Sequence, residues 1–213
     1  MDFIVKEIKK GYIIRYKNGK EQFNIPNKFY PLPNKNKICL FHNNNTKDIE
    51  EVDMINILNE KLSKEEFKIG HCYSNSDKII EILNNEHFIF FGGWVFIKDM
   101  PIHHSWVVYK NSIIDVGMTQ KDLPLENIPT IHDKLGLAAK FKANLNEKIP
   151  FVNKYLIGKV HSSRLYIGVP CTIIESANSF NCLMEKLDWK HPSYPNLSKN
   201  KRATNMQLLM NLI

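Results

Sequence analysis

Gly70-His71-Cys72-Tyr73-Ser74-Asn75-Ser76 is the stretch on which the interpretation of this chain depends. Cys72 is followed at i+4, i+7, i+8 and i+11 by residues that form one buried helix face, namely Ser76, Ile79, Ile80 and Leu83. This pattern predicts a helix, ended at Asn84, whose first turn carries Cys72 on its core-facing side. At that end of a helix, unpaired N–H groups and the positive dipole stabilise a thiolate relative to a thiol.

Two predicted strands follow, and their pairing decides which histidine lies beside an aspartate. The segments around His104 and Asp115 are rich in β-branched and aromatic residues and are separated by Lys110-Asn111. If those two residues form the loop, His104 and Asp115 share one face as diagonal neighbours, about 7 Å apart at the backbone. His103 then points to the opposite face. A three-residue loop would shift the register by one residue and favour His103 instead.

A thiol, an imidazole and a carboxylate in this order predict nucleophilic catalysis. Cys72 attacks an acyl carbon, and His104 takes the thiol proton or already holds it as an ion pair. Asp115 fixes the tautomer and the orientation of the imidazole. The backbone N–H of Cys72, at the start of the helix, is the expected oxyanion donor. The residues before Cys72 suggest no second donor.

Three motifs in this order carry a resemblance to a known superfamily: Cys72-Tyr73, His104-Ser105-Trp106 and Ile114-Asp115-Val116-Gly117. Together they resemble the papain-like and transglutaminase-like cysteine enzymes. The resemblance implies an α+β fold, in which the cysteine helix packs on an antiparallel sheet whose adjacent strands supply the histidine and the aspartate. It also implies a cysteine hydrolase, such as a thiol protease, or a transglutaminase-like acyl transferase. The Arg-Gly-Gly that precedes the cysteine of arylamine N-acetyltransferases is missing, which disfavours acetyl transfer.

Four further residues are predicted to contact the substrate. Tyr73 follows the nucleophile directly, and Trp106 belongs to the histidine motif. Gly92 and Gly93 interrupt an apolar segment, where glycine permits a bulge, a bend or the close approach of another backbone. A purely structural bend is the alternative interpretation of the two glycines.

Composition limits the classes of partner. The chain is 43% hydrophobic and 24% charged, which is ordinary for a soluble globular protein. Its net charge of +7 allows a second hypothesis, a non-catalytic binding module for nucleic acid or an acidic protein that uses Lys199–Arg202 and the N-terminal β unit. A composition rich in lysine and asparagine, with no binding target, is the other explanation of the charge. No arginine-rich stripe or aromatic stacking platform supports nucleic-acid binding. A metal site built from Cys72, a histidine and Asp115 is disfavoured because no ligand pair has zinc spacing. We therefore expect no metal and no cofactor, and a peptide, a protein or a small acyl compound as the substrate.

The chain divides into two predicted units. Residues 1–45 form a β-rich unit with a hairpin at Asn18-Gly19, and residues 46–213 form the cysteine-enzyme-like α+β domain with C-terminal helices. Thr46 is expected to cap the first helix, 172–174 to be a short strand, and Phe180 to lie at the start of a later helix. The apolar face of the last predicted helix docks on its own domain or, alternatively, forms an oligomer contact.

The scattered cysteines and the absence of long apolar runs predict the compartment. The 4 cysteines show no Cys-x-x-Cys pair, the N-terminus lacks the apolar run of a signal peptide, and no segment is long enough to span a membrane. We expect a cytoplasmic protein with free thiols and no membrane contact. Either water or an amine can accept the acyl group.

Overall fold

The computed structural model describes most of the chain, in several ranges: 3–9, 11–17, 22–25, 38–67, 71–97, 100–119, 152, 155–162 and 164–186. This part is α+β, with a curled antiparallel sheet and a few helices. The strands in chain order are β1 (Phe3–Ile8), β2 (Gly11–Tyr16), β3 (Gln22–Ile25), β4 (Cys39–Phe41), β5 (Phe88–Ile97), β6 (Met100–Tyr109), β7 (Ser112–Thr119), β8 (Tyr155–Gly158) and β9 (Arg164–Pro170). The helices are α1 (Val52–Leu62), α2 (Cys72–Leu83) and α3 (Ile173–Lys186). The predicted C-terminal helix and the basic patch at Lys199–Arg202 lie outside the described residues.

A three-stranded sheet, β1-β2-β3, stands at the N-terminus. Tyr12 of β2 pairs with Ile25 of β3, which confirms the predicted hairpin between these strands. The buried side chains of this sheet pack in one core cluster with Leu40, Trp94 and Ile167 of the larger sheet. The small sheet therefore shares a hydrophobic core with the sheet that carries the histidines.

The larger sheet has six strands in the order β4-β9-β5-β6-β7-β8. Its central strand β5 runs unbroken through Gly92-Gly93 and pairs antiparallel with both β6 and β9. Both faces of β5 carry apolar residues, because other parts of the chain cover both faces. Strands β6, β7 and β9 of this buried sheet consequently hold their polar side chains in fixed positions.

The turn between β6 and β7 sets the register of the histidine strand. Lys110 adopts a left-handed backbone conformation with φ 52°, as the first residue of a tight two-residue hairpin turn does. Val108 pairs with Ile113 across this turn, which confirms the predicted two-residue loop. The register follows from the turn, so His104 and Asp115 share a face and His103 lies on the other.

Helix α2 begins at Cys72, as its apolar spacing predicts, and ends at Asn84 in a left-handed cap with φ 43°. The predicted face is buried at Ser76, Ile79 and Leu83. Ile79 and Leu83 pack in the core cluster that also holds Val107 and Ile114, on the opposite face of the sheet from His104. The helix is amphipathic and docks through this face.

Helix α1 begins later than the sequence predicts. Thr46 does not cap it: the Thr46 hydroxyl donates to the carbonyl of His42 at 2.7 Å and accepts from the N–H of Val160 at 2.9 Å. The first helical residue is Val52, with Glu51 at the N-cap position. Long-range hydrogen bonds thus hold this segment outside the helix, where local capping preference predicted its start.

The predicted strand at 172–174 is wrong, because α3 starts at Ile173. The Thr172 hydroxyl accepts from the N–H of Glu175 at 3.1 Å, and the Glu175 carboxylate accepts from the N–H of Thr172 at 2.8 Å. This reciprocal pair is a capping box, which the Thr-x-x-Glu spacing in the sequence also signals.

Among the described residues, no helix is long and apolar enough to cross a lipid bilayer.

Candidate active site

The start of α2 is held beside the histidine strand by a buried polar contact. The Ser105 hydroxyl on β6 donates to the Ser76 hydroxyl on α2 at 3.2 Å. Cys72, one turn before Ser76, is half-buried, and its neighbours His71 and Ser74 are exposed. Cys72 therefore begins the helix in a first turn that is partly exposed to solvent.

His104 and Asp115 form a buried pair. His104 Nε2 lies 2.7 Å from Asp115 Oδ2, and the two residues are 4% and 2% exposed. The other carboxylate oxygen, Oδ1, accepts a hydrogen bond from the N–H of Gly117 at 2.8 Å. A Cβ added at Gly117 would lie 2.8 Å from His104 Cε1, so glycine is needed there to let the ring sit against β7. The predicted diagonal neighbours are in direct contact.

Cys72 completes the cluster through its interaction with His104. Burial alone would lower the pKa of His104, but the charge of Asp115, then that of Cys72, and hydrogen bonds to both raise the pKa from 6.5 to about 10. Asp115 occupies Nε2, so Nδ1 is the nitrogen available to the Cys72 thiol. The three predicted catalytic side chains are thus joined in one chain from sulfur to imidazole to carboxylate.

Sequence reasoning missed two residues of this cluster, both on β9. The Tyr166 hydroxyl donates to Asp115 Oδ2 at 2.8 Å, and the Arg164 guanidinium hydrogen-bonds the same hydroxyl. Arg164 is only 6% exposed. The available signal was the alternation of β9, which places Arg164 and Tyr166 on one face of a short, otherwise apolar strand. A buried arginine in such a strand implies a polar partner.

The two predicted aromatic substrate contacts are packing residues in this structure. The Tyr73 ring stacks on His103, with centroids 6.3 Å apart and planes at 22°. Burial raises the pKa of the Tyr73 hydroxyl well above the ordinary value, and Ser176 offsets only part of this rise. Trp106 is fully buried and lies against Gly93, whose added Cβ would be 2.8 Å from Trp106 Cη2. Direct substrate contact by either ring stays a prediction.

Gly92 and Gly93 provide close approach within the protein. A Cβ at Gly92 would lie 2.5 Å from Ser176 Oγ, and one at Gly93 would lie 2.1 Å from the carbonyl oxygen of Ile167. The sequence predicted such an approach as one reading of the two glycines. Atoms of the protein itself fill the space beside Gly92 and Gly93. Their role as substrate contacts therefore stays a prediction.

The other described thiols lie in different surroundings. Burial raises the pKa of Cys171 to about 11, and the hydrogen bonds from Ser176 and the Gly92 backbone only partly offset it. Burial also raises the pKa of Cys39. The groups that act on the pKa of Cys171 are Ser176, the Gly92 backbone and Glu175, none of which is an imidazole. A high thiol pKa leaves little thiolate at neutral pH, so both are poorly suited to nucleophilic attack.

A resident metal has little support from the arrangement of side chains. His103 faces Tyr73 and Trp94 on the opposite side of the sheet from His104. Among the described residues, no group of three or more His, Cys, Asp or Glu side chains is placed to hold a metal ion. His104 instead interacts with both Cys72 and Asp115.

Comparisons with known proteins assign no family. The chain matches no family model, no curated protein and no solved structure. The function is therefore argued from the geometry of Cys72, His104 and Asp115.

Proposed function

We propose that this protein is a cysteine-dependent hydrolase or acyl transferase with a papain-like or transglutaminase-like core. It cleaves an amide, isopeptide or ester bond through a thioester on Cys72. One observation carries the proposal: Cys72 at a helix start interacts with His104, whose other ring nitrogen lies 2.7 Å from Asp115. Nucleophile, base and orienting group are the three parts that covalent acyl transfer needs.

The first half-reaction forms the thioester. The thiolate sulfur of Cys72 attacks the acyl carbon, a C–S bond forms, and the carbonyl electron pair moves onto oxygen. As the tetrahedral intermediate collapses, His104 gives the proton at Nδ1 to the leaving amine or alcohol, and the bond to that group breaks. Asp115 keeps the proton at Nε2 in place throughout, so the imidazole exchanges protons only on the side of Cys72.

The second half-reaction releases the acyl group. Neutral His104 takes a proton from water or from an acceptor amine, whose oxygen or nitrogen then attacks the thioester carbon. The C–S bond breaks and the thiolate returns beside a protonated imidazole, which restores the starting state. Water gives hydrolysis and an amine gives acyl transfer, and the chemistry at Cys72 and His104 is the same in both.

The start of α2 supplies oxyanion stabilisation. The first i to i−4 hydrogen bond of the helix runs from the N–H of Asn75 to the carbonyl of His71 at 2.7 Å. The N–H groups of Cys72, Tyr73 and Ser74 precede it and have no helical acceptor by position. They point toward the end of the helix where Cys72 lies, so the Cys72 N–H is the proposed donor to the oxyanion.

The protonation state of His104 suits an ion-pair mechanism. With the pKa of His104 raised to about 10, the imidazole is protonated at neutral pH. In the proposed ion-pair mechanism this imidazolium holds the thiol proton, so the attacking group is a Cys72 thiolate stabilised by the positive charge beside it.

Mass spectrometry with a panel of electrophilic acyl probes tests the proposal. The wild-type protein is expected to gain one acyl group on the Cys72 peptide at neutral pH. Cys72→Ala should abolish this adduct, and the matched variant Cys171→Ala should leave it unchanged because Cys171 has no imidazole beside it. Release of the acyl group in water or to added amines then separates hydrolysis from transfer.

Two results would contradict the proposal. Equal labelling of Cys39, Cys72, Cys171 and Cys182 would mean that Cys72 has no special reactivity. An adduct on Cys72 that forms equally fast in His104→Gln would mean that the imidazole has no part in the chemistry. In either case the pair of His104 and Asp115 would have only a structural role.

A further inference from the structure

Arg164, Tyr166 and Asp115 form a hydrogen-bonded chain whose direction is determined by chemistry. An arginine guanidinium has only donors, and an ionised carboxylate has only acceptors. The Tyr166 hydroxyl lies between them, so it must accept from Arg164 and donate to Asp115 Oδ2, 2.8 Å away. Burial first, and then the charge of Asp115, hold the pKa of Tyr166 well above its ordinary value, which keeps the phenol a donor.

Asp115 Oδ2 is shared by two donors. His104 Nε2 approaches the same oxygen at 2.7 Å, so Tyr166 and His104 compete for its electron density. Each donor weakens the bond that the other makes. The strength with which Asp115 attracts the His104 proton therefore depends on whether Tyr166 is in place.

In the proposed reaction, the strength with which Asp115 attracts the His104 proton affects the rate, because His104 must give up its positive charge. His104 is a cation while Cys72 is a thiolate, and it is neutral once the proton has passed to the leaving group. Asp115 has to hold its charge and position in both states, although its cationic neighbour is present in only one. Arg164 is a buried cation that persists in both, and Tyr166 connects it to the carboxylate.

We propose that Tyr166, held by Arg164, is a positioning residue for this site: it fixes the Asp115 carboxylate and limits how strongly His104 retains its proton. The inference rests on the proposed function and goes beyond the three residues that the reaction requires. Neither Tyr166 nor Arg164 touches the reacting atoms in the proposed mechanism. Both act through Asp115.

Few titratable or charged groups among the described residues lie close enough to His104 and Asp115 to change the pKa of His104. The titratable and charged groups that the described residues bring to His104 and Asp115 are Cys72 from α2 and, from β9, Tyr166 and Arg164. The register places Gly93 of β5 opposite His104 and Leu156 of β8 opposite Asp115, and neither titrates. The centroid of the Tyr166 ring also lies 6.5 Å from that of the His104 ring, and Tyr166→Phe keeps that contact, so loss of the hydroxyl acts on His104 through Asp115.

NMR titration of the imidazole resonances tests the inference in the full-length protein. The His104 signal is identified by its loss in His104→Gln. Tyr166→Phe removes one oxygen and leaves the ring, so we expect a folded protein in which the pKa of His104 rises by roughly one unit. Tyr109→Phe is the matched control: Tyr109 is a buried tyrosine of β6 that stacks on Phe88, and its loss should leave His104 unchanged.

Turnover should change in step with the titration. A His104 that holds its proton more tightly gives it to the leaving group more slowly, so Tyr166→Phe should slow acylation of Cys72 by roughly tenfold. Arg164→Gln should shift the His104 titration in the same direction, since it removes a cation from behind Asp115. A purely structural tyrosine would change the melting temperature without moving the titration.

The outcomes separate this inference from the proposed function. A wild-type protein in which no acyl probe labels Cys72 overturns the proposed function and, with it, the positioning role. A labelled wild type whose His104 titration is unchanged or lowered in Tyr166→Phe overturns the inference alone. If Arg164→Gln fails to fold, the Tyr166→Phe titration still decides the matter.

Discussion

Two cysteines of this protein lie at helix starts, and they differ in what faces them. Cys72 is the first residue of α2, and Cys171 lies two residues before α3. Both are half-buried. The charged pair of His104 and Asp115 interacts with Cys72. Among the described residues, no cation acts on the pKa of Cys171: burial raises it to about 11, and the negative charge of Glu175 raises it further. The Ser176 hydroxyl and the Gly92 backbone lower this pKa only in part.

The comparison teaches that a helix start does not by itself make a nucleophile. The N-terminal dipole can act on either thiol, but burial raises the pKa of Cys171 regardless. What distinguishes Cys72 is an imidazole that carries a positive charge at neutral pH. The His104 imidazole, and not the position at a helix start, distinguishes Cys72 from Cys171.

The largest effect is expected from removing that partner. His104→Gln should slow alkylation of Cys72 by iodoacetamide at pH 7 by about 10²- to 10⁴-fold, because the thiolate loses its counter-ion. Cys171 should alkylate at the same slow rate in the variant and the wild type. Peptide mass spectrometry after timed exposure measures both rates in one sample.

The neighbouring histidine is the control for this prediction. His103→Gln changes a buried ring on the opposite face of β6, and Cys72 should keep its rate within a few-fold. Equal slowing by the two variants would show that loosening of the fold, and not the lost imidazole, explains the effect. The contrast between Cys72 and Cys171 would then have no electrostatic basis.

The next effect concerns folding stability as a function of pH. The pKa of His104 is raised in the folded protein to about 10, from 6.5. Its stabilisation is therefore fully present below about pH 6.5 and is lost as the pH rises through about 10. The free energy of unfolding from urea titrations should fall across this window by an amount on the order of a few kcal/mol.

His104→Gln is the reference for the pH series, because all other titrating groups remain. Its free energy of unfolding should vary less between pH 6.5 and 10 than that of the wild type. Parallel curves for the two proteins would mean that His104 is not held as a cation. The proposed difference between the two thiol sites would lose its cause.

A smaller effect is expected from crowding the histidine ring. Gly117→Ala would place a Cβ 2.8 Å from His104 Cε1 and 3.2 Å from Asp115 Oδ1, so the ring or the carboxylate has to move. We expect alkylation of Cys72 to slow by roughly tenfold, as a displaced catalytic group does. The Cys171 rate in the same sample is the internal control, and a parallel change in both thiols would indicate general loosening instead.

The smallest effect should come from the start of α3. Thr172→Ala removes the hydroxyl that caps the N–H of Glu175 and should lower the free energy of unfolding by about 1 kcal/mol. The change lies near Cys171, so the Cys72 alkylation rate should stay as in the wild type. Slower alkylation of Cys72 in this variant would show that the two helix starts are coupled.

Part of the site could be predicted because its information is local. The spacing after Cys72 indicates a helix face, and the two residues between β6 and β7 set the hairpin register. The hairpin register places His104 and Asp115 on one face without knowledge of the rest of the chain. The prediction for Thr46 failed for the opposite reason, since its hydroxyl bonds Val160 far along the sequence.

By itself, the sequence determined the start of α2 at Cys72 and narrowed the site to His104 or His103 according to the length of the turn, since periodicity and turn length act over a few residues. The strand pairing then decided for the two-residue turn and His104. Only the tertiary structure decided that α2 docks with its start beside His104, that Trp106 and Ser176 fill the space beside Gly93 and Gly92, and that Tyr166 and Arg164 support Asp115. These contacts join segments that are distant in the chain. Which faces meet is decided by how the whole core packs, and no local pattern encodes that choice.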